Sequence, residues 1–131
     1  RMRLLLTSLV VTLMVMTLSC QSQHNAVKQL EAEAFEQKLK QTNAYNLIDI
    51  RTPDEYRQGH LEHAVTIDYY SSDFKNQLSK LDKSKPLFYY CASGGRSGKT
   101  IPILQELGFK EVYELRVGFN GWRSADKPFV K

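Results

Sequence analysis

The chain has 131 residues, 42% of them hydrophobic and 24% charged, which suits one domain around a single core and leaves no room for a second. Eighteen lysines and arginines against fourteen acidic residues give a formal charge of +4, but no basic run is interleaved with aromatics, so the excess does not point to nucleic acid. Two cysteines, Cys20 and Cys91, are too few for a disulfide framework.

Taken in chain order, Arg1 and Arg3 form a basic start, and Leu4 to Leu18 form an apolar, uncharged stretch. That pattern is a secretion signal, too short and too soon followed by polar residues for an ordinary membrane span. It closes on Thr17, Leu18, Ser19 and Cys20, which resembles the lipobox of bacterial lipoproteins, with the preferred leucine displaced by one place. The resemblance implies a lipidated Cys20 as the first mature residue and an extracytoplasmic, periplasmic-side protein tethered to a bacterial membrane. The alternative is a plain cleaved signal in which Cys20 is incidental. Loss of Arg1 and Arg3 would lower the formal charge to +2. Cys91 would then be a lone free thiol outside the cytoplasm, where unpaired cysteines are avoided unless they are used.

Residues 21–26 are polar and read as a tether, and residues 27–131 as the domain. Glu31 to Lys40 reads as a helix with Phe35 and Leu39 on one face, followed by a short buried strand over Leu47 to Ile50. Thr52 is placed to cap a helical turn that Pro53 opens. Ala64 to Ile67 is a further strand, and Phe74, Leu78 and Leu81 mark the inner face of the next helix. Leu87 to Tyr90 is a buried strand. Thr100 to Leu107 forms the body of a helix that Gly108 ends, with Pro102 inside it and a kink expected there. Glu111 to Leu115 supplies a strand, and Phe119 to Ala125 a last helical turn that anchors Trp122. Short apolar strands alternating with amphipathic helices mean an α/β domain: a mostly parallel sheet covered on both faces.

The segment richest in chemistry is CASGGRSGKT, residues 91–100. It places Cys91 where a strand feeds a helix N-terminus, and there orphan backbone N–H groups and the helix dipole stabilise an anion. Beside Arg96 a thiol can fall below its free pKa of about 8.5. Gly94, Gly95 and Gly98 are expected to let the backbone curl into a nest of N–H groups. Gly98, Lys99 and Thr100 match the end of a phosphate-binding loop, but Ser93 stands where its first glycine belongs. Cysteine phosphatases and arsenate reductases carry five residues between cysteine and arginine, whereas only Ala92, Ser93, Gly94 and Gly95 separate Cys91 from Arg96. The tighter ring suits one extra sulfur atom on the cysteine better than a tetrahedral oxyanion.

With these motifs in place, the chain resembles a single-domain rhodanese. Cys91, Gly94, Arg96 and Ser97 match that family's C-x-x-G-x-R-S loop, and Leu47 to Arg51 with Glu55 and Tyr56 match its "IDVR…EY" segment. Gly59 to Ala64 match "GHIPGA", and Leu115 to Trp122 match its "L-x-G-G-x-x-x-W" ending. Two departures stand out: Ala92 occupies a place where many members carry arginine, and Val117 replaces the first glycine of the terminal motif. The resemblance implies a rhodanese-like, mostly parallel five-stranded sheet and a sulfurtransferase that carries sulfane sulfur as a persulfide on Cys91. The donor would be a small sulfur-containing anion such as thiosulfate, and the acceptor a thiol, cyanide or a protein. A non-enzymatic sulfane-sulfur carrier that serves a partner protein is the alternative. Arg96 is expected to orient the donor and favour the thiolate, with the rest of the loop, Ala92 to Ser97, binding substrate. Asp49 and Arg51 are supporting residues, and Arg51 is placed to pair with Glu55 one turn on. His60 and His63 lack a second cluster to complete a metal site and read as loop histidines, so no metal or cofactor is expected. Tyr89, Tyr90 and Trp122 read as core.

Overall fold

The computed structural model describes residues 27–131. The expected secretion signal, lipidated Cys20 and tether fall on residues 1–26, outside the described residues. Among the described residues, no helix is long and apolar enough to cross a membrane.

Five strands, β1 (Lys28–Leu30), β2 (Asn46–Asp49), β3 (Val65–Thr66), β4 (Leu87–Tyr90) and β5 (Val112–Leu115), form one sheet in the order β1-β5-β4-β2-β3. Every pairing is parallel, with Ile48 opposite Tyr89 and Tyr89 opposite Glu114. The central strand β4 is buried at all four residues, as a parallel strand covered on both faces must be. Its side chains alternate between the two cores. Phe88 and Tyr90 join Phe35 of α1 (Ala32–Lys40) and Phe119 and Trp122 of α5 (Gly118–Ser124), and Tyr56 of α2 (Pro53–Gln58) packs against the same cluster. Leu87, Tyr89 and Cys91 join Phe74 and Leu78 of α3 (Phe74–Ser79) and Leu104 of α4 (Gly95–Glu106) on the opposite face. Edge-on aromatic contacts of Phe35 with Phe88 and Trp122 tie α1 and α5 to the sheet. Each such fully buried ring contributes about 1.5–3 kcal/mol.

The elements differ from the sequence reading mainly at the sheet edges and around the central helix. The fifth strand, β1, is a three-residue edge with only Leu30 turned toward a core, which leaves no pattern to read. β3 shrinks to two exposed residues, and Leu81 packs after α3 has ended rather than within it. α4 starts at Gly95, directly behind the cysteine loop, and runs on through Pro102, whose ring faces solvent. At its C-terminus Gly108 takes a φ of 82°. The N–H groups of Gly108 and Phe109 there donate to the carbonyls of Gln105 and Leu104, a Schellman closure.

Candidate active site

Cys91 leaves the C-terminal end of β4, where ligands of open parallel sheets bind, and the chain turns within three residues into α4. Gly94 makes this turn with φ 99°, a left-handed conformation that also brings its Cα against the carbonyl of Arg116. A Cβ there would sit 2.4 Å from that oxygen. Gly95 and Gly98 do not shape the nest: both lie in α4, and a Cβ on either would meet nothing within 4 Å. The curl assigned to three glycines therefore belongs to Gly94 alone. A second left-handed glycine, Gly118 (φ 64°), lets the start of α5 press on the loop, and the N–H groups of Phe119 and Asn120 donate to the carbonyls of Cys91 and Ala92 at 2.9 Å. This close approach explains why Val117 is tolerated in place of glycine. Its φ of −82° is ordinary helical backbone, and the glycine requirement falls on Gly118.

The Cys91 sulfur is buried, with 1% of the residue exposed. The N–H groups of Gly94 and Ser97 point at Sγ from 3.1 and 3.4 Å, and Ser97 Oγ lies 3.3 Å away. Burial pushes the thiol up, but hydrogen bonding by the Ser97 hydroxyl and by the N–H groups of Ser97, Gly94 and Ser93 outweighs it, so the thiol lies below its ordinary value.

Arg96 does not reach for the sulfur. Its guanidinium forks onto Glu55, with Nη1 and Nη2 each donating at 2.8 Å, while the Tyr70 ring lies 5.7 Å from its Cζ. That fork holds the Glu55 carboxyl down at about 2 and raises Arg96. Glu55 also completes a capping box, accepting from the Thr52 N–H and hydroxyl while its own N–H donates to Thr52 Oγ1. Arg96 thus ties α2 to α4 across the mouth of the loop. The expected pair of Arg51 with Glu55 is not formed. Arg51 instead turns back into the protein, where Nε and Nη2 bond the buried carboxylate of Asp49 and Nη2 also bonds the Gly59 carbonyl at 2.6 Å. Asp49 further accepts from the Tyr90 hydroxyl at 2.8 Å, and the Arg51 guanidinium covers the Phe119 ring at 4.2 Å. Both residues brace the walls of the site rather than touch the sulfur.

A cleft of about 180 Å³ beside the loop is lined by Arg51, Glu55, Gln58, Ala92, Phe119, Asn120 and Arg123. His60 stacks on Tyr56 at 3.7 Å with Nδ1 on the Tyr56 carbonyl. Among the described residues no cluster of His, Cys, Asp and Glu is grouped to hold a metal ion. Three residues of the site escaped the sequence reading: Glu55 as the partner of Arg96, and Glu114 and Gln29, which continue the hydrogen bonding behind Ser97. A carboxylate inside the apolar run of β5 is the signal that could have found Glu114.

The model of the rhodanese-like domain matches residues 31–125. The chain belongs to the rhodanese-like family. Among its relatives within that family, a sulfurtransferase of Allochromatium vinosum is 31% identical over 104 residues, covering 79% of this chain and 95% of that protein. A thiosulfate sulfurtransferase of Coxiella burnetii is 35% identical over 78 residues, covering 60% of this chain and 71% of its own. A rhodanese-related protein of Thermoplasma volcanium superposes with a TM-score of 0.68 at 25% identity, covering 79% of this chain and 97% of that one. The five-stranded parallel sheet with helices on both faces is thus the rhodanese-like fold.

Proposed function

We propose that this rhodanese-like domain is a sulfurtransferase that carries sulfane sulfur on Cys91. The supporting observation is the cradle itself: a buried sulfur ringed by the N–H groups of Gly94 and Ser97, in a loop with four residues rather than five between cysteine and arginine. In the first half-reaction the Cys91 thiolate attacks the outer sulfur of a donor such as thiosulfate. The donor's S–S bond breaks, sulfite leaves with its electron pair, and Cys91 holds a persulfide whose charge the loop N–H groups stabilise. In the second, a thiolate or cyanide attacks the terminal sulfur and Cys91 departs as thiolate. With Arg96 committed to Glu55 and alanine at residue 92, the cation that meets the donor comes from the rim of the cleft, where Arg123 stands.

The amino-terminal pattern adds that the domain works outside the cytoplasm, anchored through a lipidated Cys20. Incubation with thiosulfate and cyanide while thiocyanate is followed tests the enzymatic reading. Many turnovers per protein, abolished in Cys91→Ser, are expected, whereas a single stoichiometric turnover would make the domain a sulfur carrier instead.

A further inference from the structure

Behind the cysteine loop lies a carboxylate that the sulfur-transfer scheme does not use. Glu114, in the centre of β5, is 1% exposed, and burying a carboxylate is costly unless it is bonded. Its Oε1 accepts the Ser97 hydroxyl proton at 2.6 Å and its Oε2 accepts from Gln29 Nε2 at 2.8 Å. Ser97, fully buried, in turn lies 3.3 Å from Cys91 Sγ. A hydroxyl has one proton to give. While Ser97 gives it to Glu114, its oxygen can accept from the Cys91 S–H but cannot donate to a thiolate. For Ser97 to turn its proton toward sulfur, Glu114 must receive one.

We propose that Glu114 is a positioning residue that takes up the Cys91 proton through Ser97 when the thiolate forms. The S–H proton moves to Ser97 Oγ as the Ser97 proton moves to Glu114 Oε1, so S–H···O–H···⁻O–C becomes S⁻···H–O···H–O–C. One proton leaves sulfur, one arrives on the carboxylate, and the net charge of the three groups stays the same. The step needs no water in a site from which water is shut out. It turns toward the thiolate the Ser97 hydroxyl, whose hydrogen bond to sulfur holds the thiol down.

Other groups facing the chain of hydrogen bonds are accounted for. Tyr89 of β4 donates its hydroxyl to the Ser97 carbonyl at 2.9 Å, Arg96 of α4 is held by Glu55, and Gln29 of β1 fixes the far carboxylate oxygen.

The inference rests on Cys91 being the working nucleophile, but its test needs no sulfur donor, so it can fail while sulfur transfer stands. The rate of Cys91 alkylation by iodoacetamide is measured from pH 4 to 10 by mass spectrometry of the peptide that contains Cys91. Two coupled acids share the titration in the native protein, so the rate should climb in two waves, with a plateau between them where the proton merely moves inward. Glu114→Gln keeps the shape and a hydrogen bond to Ser97 but cannot take up a proton. It should give one wave, rising about tenfold per pH unit below its midpoint. Ser97→Ala breaks the connection and should also give one wave, which keeps the test decisive if the Gln variant folds poorly. A single wave in the native protein, or two waves retained in Glu114→Gln, would overturn the proposal.

Discussion

Replacing Gly94 by alanine attacks the cradle at its one obligatory glycine. The left-handed φ of 99° costs an L-residue about 1–2 kcal/mol. The new Cβ would also stand 2.4 Å from the Arg116 carbonyl oxygen, so the loop must move away from β5. Movement of the Gly94 N–H from its 3.1 Å contact removes one donor from the sulfur. A hydrogen bond to a charged acceptor contributes about 1.5–3 kcal/mol, or about one to two pKa units. Gly94→Ala is therefore expected to unfold at lower urea, by about 2–4 kcal/mol in all. Its alkylation at neutral pH should be slower by about 10- to 100-fold. Gly98→Ala is the matched control. It lies within α4, its Cβ meets nothing, and it should stabilise the domain by about 0.5–1 kcal/mol with alkylation unchanged. Equal behaviour of the two variants in urea titration and alkylation would refute the assignment of the turn to Gly94.

The Glu55 and Arg96 fork has a definite pH signature. The Glu55 carboxyl is held at about 2 against an ordinary 4.5, so its contribution is fully present above pH 4.5 and is lost as pH falls toward 2. The shift taken whole corresponds to about 3 kcal/mol, which solvent around this partly exposed pair cuts to about 1–2. Urea titrations should show Glu55→Gln less stable by that amount at pH 7, with the gap closing between pH 4.5 and 2; a gap that is constant with pH would contradict the assignment. Asp49→Ala should lose about 3–5 kcal/mol in the same assay because Arg51 is left buried and unpaired, and a loss under 1 kcal/mol would mean that Arg51 finds another partner. At the amino terminus, mass spectrometry of the protein from bacterial membranes should find Cys20 first and acylated; an unmodified or absent Cys20 removes the anchor.

What could be read from sequence was what is local. Leu87 to Tyr90 followed by the Cys91 loop announces a buried strand that ends in a nucleophile, because burial on both faces leaves an unbroken apolar run. Thr52 and Pro53 announce the start of α2 because capping and a fixed φ act within a single turn. The edge strands β1 and β3 are too short to leave a period. The pairing of Arg96 with Glu55 joins residues 41 apart, and that of Ser97 with Glu114 residues 17 apart. Both depend on which strands become neighbours after crossover. Sequence proximity suggested the wrong partner, Glu55, for Arg51, because it could not anticipate that Asp49 turns inward beside Tyr90. Likewise three glycines looked alike in the loop, and only the backbone angles separate Gly94 from the two that are simply helical.

The central claim, that Cys91 carries sulfane sulfur, is tested most directly by intact mass after incubation with thiosulfate or polysulfide and removal of excess donor. A gain of one sulfur atom is expected, reversed by cyanide and absent in Cys91→Ser. No added sulfur from either donor, or the same gain in Cys91→Ser, would contradict it.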